Sequence, residues 1–406
     1  MRFLFVFLFF AGAVFGRQNY VIYDEDFSPI AGGYDLTTVF EGIMDAEDDM
    51  IELSESQQKG YMGAFGRFID LMAWDIFSGV TTTVQHEVFG HGYRLRSLRD
   101  AHVLGYHIGF NGGYTKFEFV PDKTTLGDLA LVMAGGLESQ FVLADQLKLQ
   151  LMSRRSIDGR LAPMVIRNQY ALLSYAMNPD TFDNPYTTDQ SGNDVKIYLE
   201  YLNLLFPKDT TTLTNVQKSA LVSLLDPITW FSTISTWKYL TDAKPLELPT
   251  LTFGDFHMLP GMSTSLTPYG LEFYAQNYMA FKDRPSIGYV RWGYQHYPSF
   301  GFGYEAPHIW TIRDLLQLGL IGHFWVQPQF EKTETISEYL LGKSAIQPGF
   351  ATLRPGVALS LVSAIPIEKT KTVSVYCEVG GKSKGFVPGY DVDQALILRG
   401  GFGLRF

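Results

Sequence analysis

Apolar and polar positions alternate with two different periods in the two parts of the chain. From Tyr61 to about Arg99, apolar residues recur at steps of three and four, which predicts one long helix or two helices divided at Gly79. Helical patterning continues near 124–152, 160–177, 193–205 and 215–240, and a hairpin is expected over 105–120. The first part of the chain is therefore predicted to be mostly helical.

After Pro249 the period falls to two. Leu396, Leu398 and Phe402 are apolar, whereas Arg399 and Gly401 occupy the other parity, as in a strand with one apolar face. The same alternation recurs at 271–279, 290–294, 300–304, 316–327 and 373–379. Six or seven strands are countable after residue 255, and closed single-chain bacterial barrels use even numbers, so about eight strands are expected.

The first 60 residues divide into two segments. Residues 1–16 combine Arg2 with an apolar run and then small residues, which is typical of a secretory signal peptide. Residues 17–60 are polar and acidic, and we interpret them as a solvated lead-in. No later window has the uninterrupted apolar length of a membrane-spanning helix, so helical spans are not expected.

Composition narrows the classes of partner. The formal net charge of −10 argues against nucleic-acid binding, and no phosphate-binding loop or dinucleotide fingerprint supports a nucleotide partner. The single cysteine, Cys377, rules out an internal disulfide framework and cysteine-based zinc sites. Aromatic residues make up 15% of the chain and glycines number 39, a pairing that favours a β-barrel with aromatic girdles.

A membrane barrel and a soluble β-sandwich both alternate in this way, but they point their apolar faces in opposite directions. The signal-like start, the strand lengths and the aromatic excess favour the membrane barrel. The last strand, which finishes on Phe406, also resembles the C-terminal signature strand of bacterial outer-membrane proteins. That resemblance implies location in the bacterial outer membrane, with outer-membrane lipid as a partner. With an even strand count both ends of the barrel chain face the periplasm, so the preceding domain is expected there.

The densest candidate chemistry lies at the end of the first long helical run. His86, Glu87 and His91 place two imidazoles and a carboxylate within six residues. In the common H-E-x-x-H zinc helix, two histidines four residues apart share one face, and the glutamate acts as general base. A spacing of five separates them by roughly 140° around an ideal helix. The site therefore requires a π-bulge or local unwinding, which Gly90 would tolerate.

This H-E-x-x-G-H pattern resembles the zinc motif of the dipeptidyl peptidase III family, within the gluzincin-like metallopeptidases. The resemblance implies Zn²⁺ bound by His86 and His91, with Glu87 as the general base. The resemblance covers His86, Glu87, Gly90 and His91. The family's second motif, a Glu-Glu-x-x-x-Ala-Glu type helix, is not evident, so exopeptidase activity is not implied.

A third ligand is required, and gluzincin-type enzymes take a glutamate from a following helix. Glu138 fits this role because it follows Gly135 and Gly136 in an apolar helical stretch. Paired glycines permit close helix packing, and coordination would remove the cost of burying the carboxylate. We therefore expect a metal site of His86, His91 and Glu138.

The sequence thus predicts an α+β protein, with a helical metallohydrolase domain over 61–248 and an outer-membrane barrel over 249–406. The expected activity is zinc-dependent hydrolysis of a peptide or protein in the cell envelope. Two alternatives remain: a non-enzymatic barrel protein with a structural or vestigial His/Glu cluster, and a non-hydrolytic metal site holding, for example, iron. Glu87 and His91 also have the spacing of a simple helix-surface pair.

Overall fold

The computed structural model describes residues 18–50, 60–178, 193–207, 209–294, 298–312, 315–328, 335–341, 352–367 and 373–405. The predicted signal peptide, 1–16, lies outside the described residues. Within them the chain combines helices and strands, which confirms the α+β class.

The helices are α1 (Pro29–Met50), α2 (Gly60–His86), α3 (Gly92–Ser97), α4 (Leu126–Arg154), α5 (Ala162–Gln169), α6 (Ala171–Met177), α7 (Asp194–Leu205), α8 (Leu213–Ala220), α9 (Pro227–Asp242) and α10 (Ile336–Leu340). A π-helical turn (Glu87–His91) joins α2 to α3, and a 3₁₀ turn (Leu221–Leu225) precedes α9. The strands are β1 (Gln18–Tyr23), β2 (Ala101–Ile108), β3 (Gly113–Phe119), β4 (Ser156–Ile157), β5 (Leu246–Glu247), β6 (Leu251–Phe253), β7 (Phe256–Thr267), β8 (Gly270–Phe281), β9 (Arg284–Gly293), β10 (Ser299–Ile312), β11 (Leu316–Pro328), β12 (Leu353–Pro366), β13 (Val373–Lys382) and β14 (Ala395–Arg405). α2 is continuous through Gly79, so of the two predicted alternatives the single long helix is the one observed.

The dominant element is an antiparallel sheet with the order β1-β14-β13-β12-β11-β10-β9-β8-β7-β6. It contains ten strands within the described part of the chain, not the expected eight, because β1 adds to the edge at β14 and β6 pairs with β7. No ladder between described residues joins β1 to β6, so a closed barrel is not seen. The large antiparallel sheet itself is as predicted.

The acidic segment 17–60 does not form a solvated lead-in over its described part. It supplies β1 to the sheet and then α1, in which Ala31 and Phe40 are fully buried. Two of its acidic residues, Glu47 and Asp48, accept hydrogen bonds from the guanidinium of Arg160. The acidic residues that led to the expectation of a solvated segment are therefore partly paired with an arginine of the fold.

The two faces of the sheet have opposite character. On β12, Val357, Leu359 and Leu361 are each more than half exposed, whereas the intervening side chains are buried. The buried face carries ion pairs inside the protein, Glu272 with Arg291 and Glu378 with Arg399. A sandwich of soluble type would bury the apolar face and expose the polar one. This sheet instead exposes an apolar face, and its buried face combines ion pairs with apolar side chains.

Helix α4 packs on the inner face of the sheet, against β7, β8 and β9. Thr125 and Asp128 begin it with a capping box, and further along the helix Asp145 accepts a hydrogen bond from Tyr278 of β8 at 2.5 Å. α4 is long and apolar enough to cross a membrane by length and composition, but 89% of its most apolar window is buried. It is the core helix that joins the helical part and the sheet, which share hydrophobic clusters.

Candidate metal centre

The π-helical turn at the end of α2 brings the two histidines of the motif together. A π-helical turn contains one residue more than an α-helical turn, which offsets the five-residue spacing of the two histidines. The Nε2 atoms of His86 and His91 therefore lie 3.1 Å apart. The local distortion that the spacing required is therefore present, and it is centred on Glu87–His91.

Glycines allow α4 to approach this turn closely. A Cβ atom at Gly90 would lie 2.7 Å from the carbonyl oxygen of Gly135, and one at Gly136 would lie 2.4 Å from the His86 ring. Both distances are far below van der Waals contact. The paired glycines of α4 therefore set the distance between the two helices that build the site.

Asp194, the first residue of α7, completes a cluster of three ligand groups. Its Oδ2 lies 2.8 Å from Nε2 of His86 and 3.3 Å from Nε2 of His91. Tetrahedral Zn²⁺ with Zn–N distances of about 2.0–2.1 Å requires ligand atoms about 3.3 Å apart. The His91–Asp194 separation equals this spacing, and the His86–His91 and His86–Asp194 separations of 3.1 and 2.8 Å are somewhat shorter. All three residues are buried.

Hydrogen bonds to the other ring nitrogens orient both imidazoles. Nδ1 of His91 lies 2.7 Å from the carbonyl oxygen of Val132, to which it donates, and Nδ1 of His86 lies 2.8 Å from Oε1 of Gln140. With both Nδ1 atoms acting as donors, it is the Nε2 atom of each ring that faces the centre of the cluster. This is the arrangement that protein metal sites use to fix the tautomer of a ligating histidine.

The cluster attracts positive charge. Burial alone would lower the pKa of His91, but the adjacent Asp194 carboxylate outweighs it and raises this pKa to about 9. Burial likewise favours a neutral Asp194, yet the neighbouring His91 and His86 hold the pKa of this carboxyl well below its usual value. In the metal-free protein, the proton on His91 therefore supplies the positive charge that a bound metal ion would otherwise supply.

Competition between this proton and a metal ion predicts a pH dependence. Because His91 stays protonated below about pH 9, Zn²⁺ must displace one proton, and the apparent affinity is expected to rise about tenfold per pH unit up to that point. Above that pH the apparent zinc affinity should no longer change with pH. Calorimetric zinc titrations at a series of pH values measure this slope, and an affinity unchanged between about pH 7 and 9 would contradict it.

The structure does not bring Glu138 to the two histidines. Its carboxylate pairs with Arg94, which donates from Nε to Oε2 at 2.8 Å, and it also accepts from the backbone N–H of Gly389 at 2.7 Å. Both side chains are completely buried. The burial cost that suggested metal coordination is thus offset by an ion pair, and Asp194 takes the position expected for Glu138.

Glu87 faces a cavity of about 320 Å³ that is also lined by His86, Thr83 and Tyr175. The carboxylate of Glu87 accepts a hydrogen bond from the Thr115 hydroxyl at 2.7 Å. Tyr175 stacks on the His86 ring, and its hydroxyl lies 3.3 Å from Nε2. Burial, with Asp194 and Glu87 nearby, raises the pKa of Tyr175 well above its ordinary value, so the phenol remains a hydrogen-bond donor.

A Gly136→Ala substitution is expected to displace the His86 imidazole, because the added methyl group overlaps the ring. Zinc affinity should fall at least about tenfold, which is the loss typical when a residue that holds a metal ligand in place is mutated. Gly66→Ala on α2 is the matched control, since an added Cβ there meets no atom within 4 Å. Equal zinc affinity of both variants would show that α4 does not constrain His86.

Asp194, Tyr175 and Gln140 were not identified from the sequence. Asp194 follows Asn193, whose side chain caps α7, and an acidic residue in the first helical turn is ordinary. It lies 103 residues beyond His91, so only the tertiary fold brings the two together.

Comparisons with models of known families, with curated proteins and with solved structures found no match to this chain. The interpretation of the site therefore depends on its geometry.

Proposed function

We propose that this protein is a zinc-dependent hydrolase, and specifically a metallopeptidase acting on a peptide or protein in the cell envelope. The observation that carries the proposal is the convergence of His86, His91 and Asp194 beside Glu87, at the wall of a cavity. Three protein ligands leave one coordination position open, which is the pattern of catalytic zinc sites rather than structural ones.

The donor set favours zinc. Two imidazole nitrogens and one carboxylate oxygen at close to tetrahedral spacing suit Zn²⁺ better than the hard cations Ca²⁺ and Mg²⁺, which prefer six or more oxygen ligands. A zinc ion bound here would supply Lewis acidity, activating water and polarising the scissile carbonyl. Iron also accepts a two-histidine, one-carboxylate set, so metal identity is an outcome of the test below.

Glu87 and Tyr175 would perform the remaining steps. The Glu87 carboxylate accepts the proton of the attacking water and passes it to the leaving amine. The Tyr175 phenol, at the edge of the cluster, donates a hydrogen bond to the oxyanion that develops on the carbonyl oxygen. Thr115 holds the Glu87 carboxylate in place.

We further propose that the sheet lies in a bacterial outer membrane, with its apolar face toward lipid and the helical part on the periplasmic side. The support is the exposed apolar face of the sheet and strands of 10 to 14 residues from β7 to β14. Membrane barrel strands need roughly 9–11 residues. Gel migration that changes on boiling would support this location, whereas identical migration before and after boiling would count against it.

The hydrolase proposal is tested with the full chain refolded in detergent micelles and a fluorogenic peptide library. Cleavage should disappear after chelation and return with Zn²⁺ more completely than with Fe²⁺. Cleavage unaffected by a chelator would overturn the proposal. A wild-type chain that neither binds metal nor cleaves any peptide would instead favour a non-enzymatic membrane protein.

A further inference from the structure

The cavity beside the metal centre extends along α2. His86 and Glu87 line it at one end of the helix, and Gly79 lines it farther back along the same helix. A rise of about 1.5 Å per residue places Gly79 about 12 Å from Glu87 along the helix axis. An extended peptide advances about 3.3–3.6 Å per residue, so this length accommodates about three or four residues.

The residues between the two ends have short side chains. Thr82 and Thr83 line the α2 wall, and Ala171 and Ser174 line the facing wall. With a cavity volume of about 320 Å³, these short side chains leave width for a peptide main chain that lies along α2.

The end of the cavity away from the metal ligands carries a positive charge. Arg167 is the one arginine or lysine among the described residues that line the cavity. Its guanidinium pairs with Asp75, which precedes Gly79 by about one turn of α2. Tyr175, by contrast, stacks on the ring of His86. The wall formed by α5 and α6 therefore begins at a cation and ends at the metal ligands.

The Arg167 guanidinium retains a free donor. Nε and Nη2 donate to the Asp75 carboxylate at 3.1 and 2.9 Å, whereas Nη1 has no hydrogen-bond acceptor within the described part of the chain. The Arg167 side chain is about one-third exposed. A planar guanidinium matches the two oxygens of a carboxylate better than any other side chain does. The far end of the cavity is therefore equipped to bind a carboxylate.

From these positions we infer that the site cleaves peptides near their carboxyl terminus, with the terminal carboxylate bound by Arg167 and the scissile bond at the metal ligands. The inference rests on the proposed hydrolase function and specifies its substrate class. Water adds across the amide and the C–N bond breaks. The shortened peptide leaves as a carboxylic acid, and the C-terminal fragment of about three or four residues leaves as an amine.

The test uses the zinc-loaded full chain in detergent micelles with three forms of the best peptide of the library. They end in a free carboxylate, in a carboxamide, or in a carboxamide with glutamate as the last residue. We expect kcat/KM of the carboxylate form to exceed that of the carboxamide about ten- to hundredfold, the effect of one hydrogen bond to a charged group. Mass spectrometry should place the cut about three or four residues from the end. Equal rates for the carboxylate and glutamate forms would overturn the assignment to the chain terminus.

Two substitutions separate carboxylate binding from a structural role of the ion pair. Arg167→Gln should raise KM for the carboxylate peptide about ten- to hundredfold with little change in kcat, and should remove the preference over the carboxamide. Asp75→Asn should instead lower this KM, because the guanidinium loses a competing carboxylate. Partly exposed ion pairs contribute little to stability, so both variants should fold.

A pair that only joined α5 to α2 would make both substitutions act in the same direction, and that result would overturn the inference. Arg155→Gln is the matched control, since it breaks an Arg–Asp pair with Asp283 away from the cavity. It should change neither KM nor the preference for the carboxylate form.

A second measurement does not require catalysis. In the metal-free chain, fluorescence anisotropy of fluorescein-labelled peptides should show the carboxylate form bound about ten- to hundredfold more tightly than the carboxamide. This difference should disappear in Arg167→Gln. Equal binding of the two forms to the wild type, or a preference that persists in Arg167→Gln, would overturn the carboxylate site.

The two proposals fail in different ways. Cleavage of the carboxylate and carboxamide forms at equal rates overturns the substrate inference and leaves the hydrolase intact. Cleavage of neither form by the zinc-loaded chain overturns the hydrolase proposal, and the anisotropy measurement then decides separately whether Arg167 binds a carboxylate.

Discussion

Glu87→Gln is expected to slow hydrolysis by about 10²–10⁴-fold while zinc binding is retained. The amide of glutamine has nearly the shape of the carboxylate and still accepts the hydrogen bond from Thr115. It cannot accept a proton from water. Because Glu87 lies outside the cluster of His86, His91 and Asp194, the metal ligands are unchanged. The measurement is kcat for the best peptide of the library, with bound zinc determined on the same samples.

Glu118→Gln is the control, because this substitution makes the same chemical change at an exposed position of β3. It should leave both rate and zinc content as in the wild type. A Glu87→Gln chain that turns over substrate at the wild-type rate would remove Glu87 from the mechanism.

Glu138→Ala is expected to destabilise the fold by about 3–5 kcal/mol, because it leaves the Arg94 guanidinium buried without its counter-charge. Both side chains are inaccessible to solvent, so water cannot replace the lost carboxylate. The pair also holds the segment between β13 and β14 through Gly389 and Tyr390. Urea unfolding of the chain in vesicles measures the change in the free energy of unfolding.

Replacing both members, as Arg94→Met with Glu138→Leu, should recover much of the lost stability, because neither charge is then buried alone. If Glu138→Ala unfolds at the wild-type urea concentration, the ion pair is not formed as described.

Parts of this architecture were predictable because they depend on local chemistry. Histidines five residues apart cannot share a face of a regular helix, so the spacing of His86 and His91 implied the π-turn that the structure contains. Gly135 and Gly136 implied close packing of α4, and the period of two after Pro249 implied a two-faced sheet. In each case the deciding signal is a pattern within a few residues of the sequence.

The remaining features depend on contacts between distant parts of the chain. A buried glutamate needs a partner, but the sequence does not distinguish a metal from Arg94 as that partner, and the prediction for Glu138 chose the metal. Asp194 reaches the cluster only through the packing of α7 on α4. β1 was missed because its pairing partner, β14, lies at the other end of the chain.

Titration of the metal-free chain with Zn²⁺ tests the central claim, that His86, His91 and Asp194 hold one ion. The wild type and Glu138→Gln are predicted to bind one zinc ion per chain, and Asp194→Ala to lose at least about a hundredfold in affinity. Loss of zinc binding in Glu138→Gln but not in Asp194→Ala would contradict the assignment of ligands. A wild-type chain that binds no zinc would contradict the metal centre as a whole.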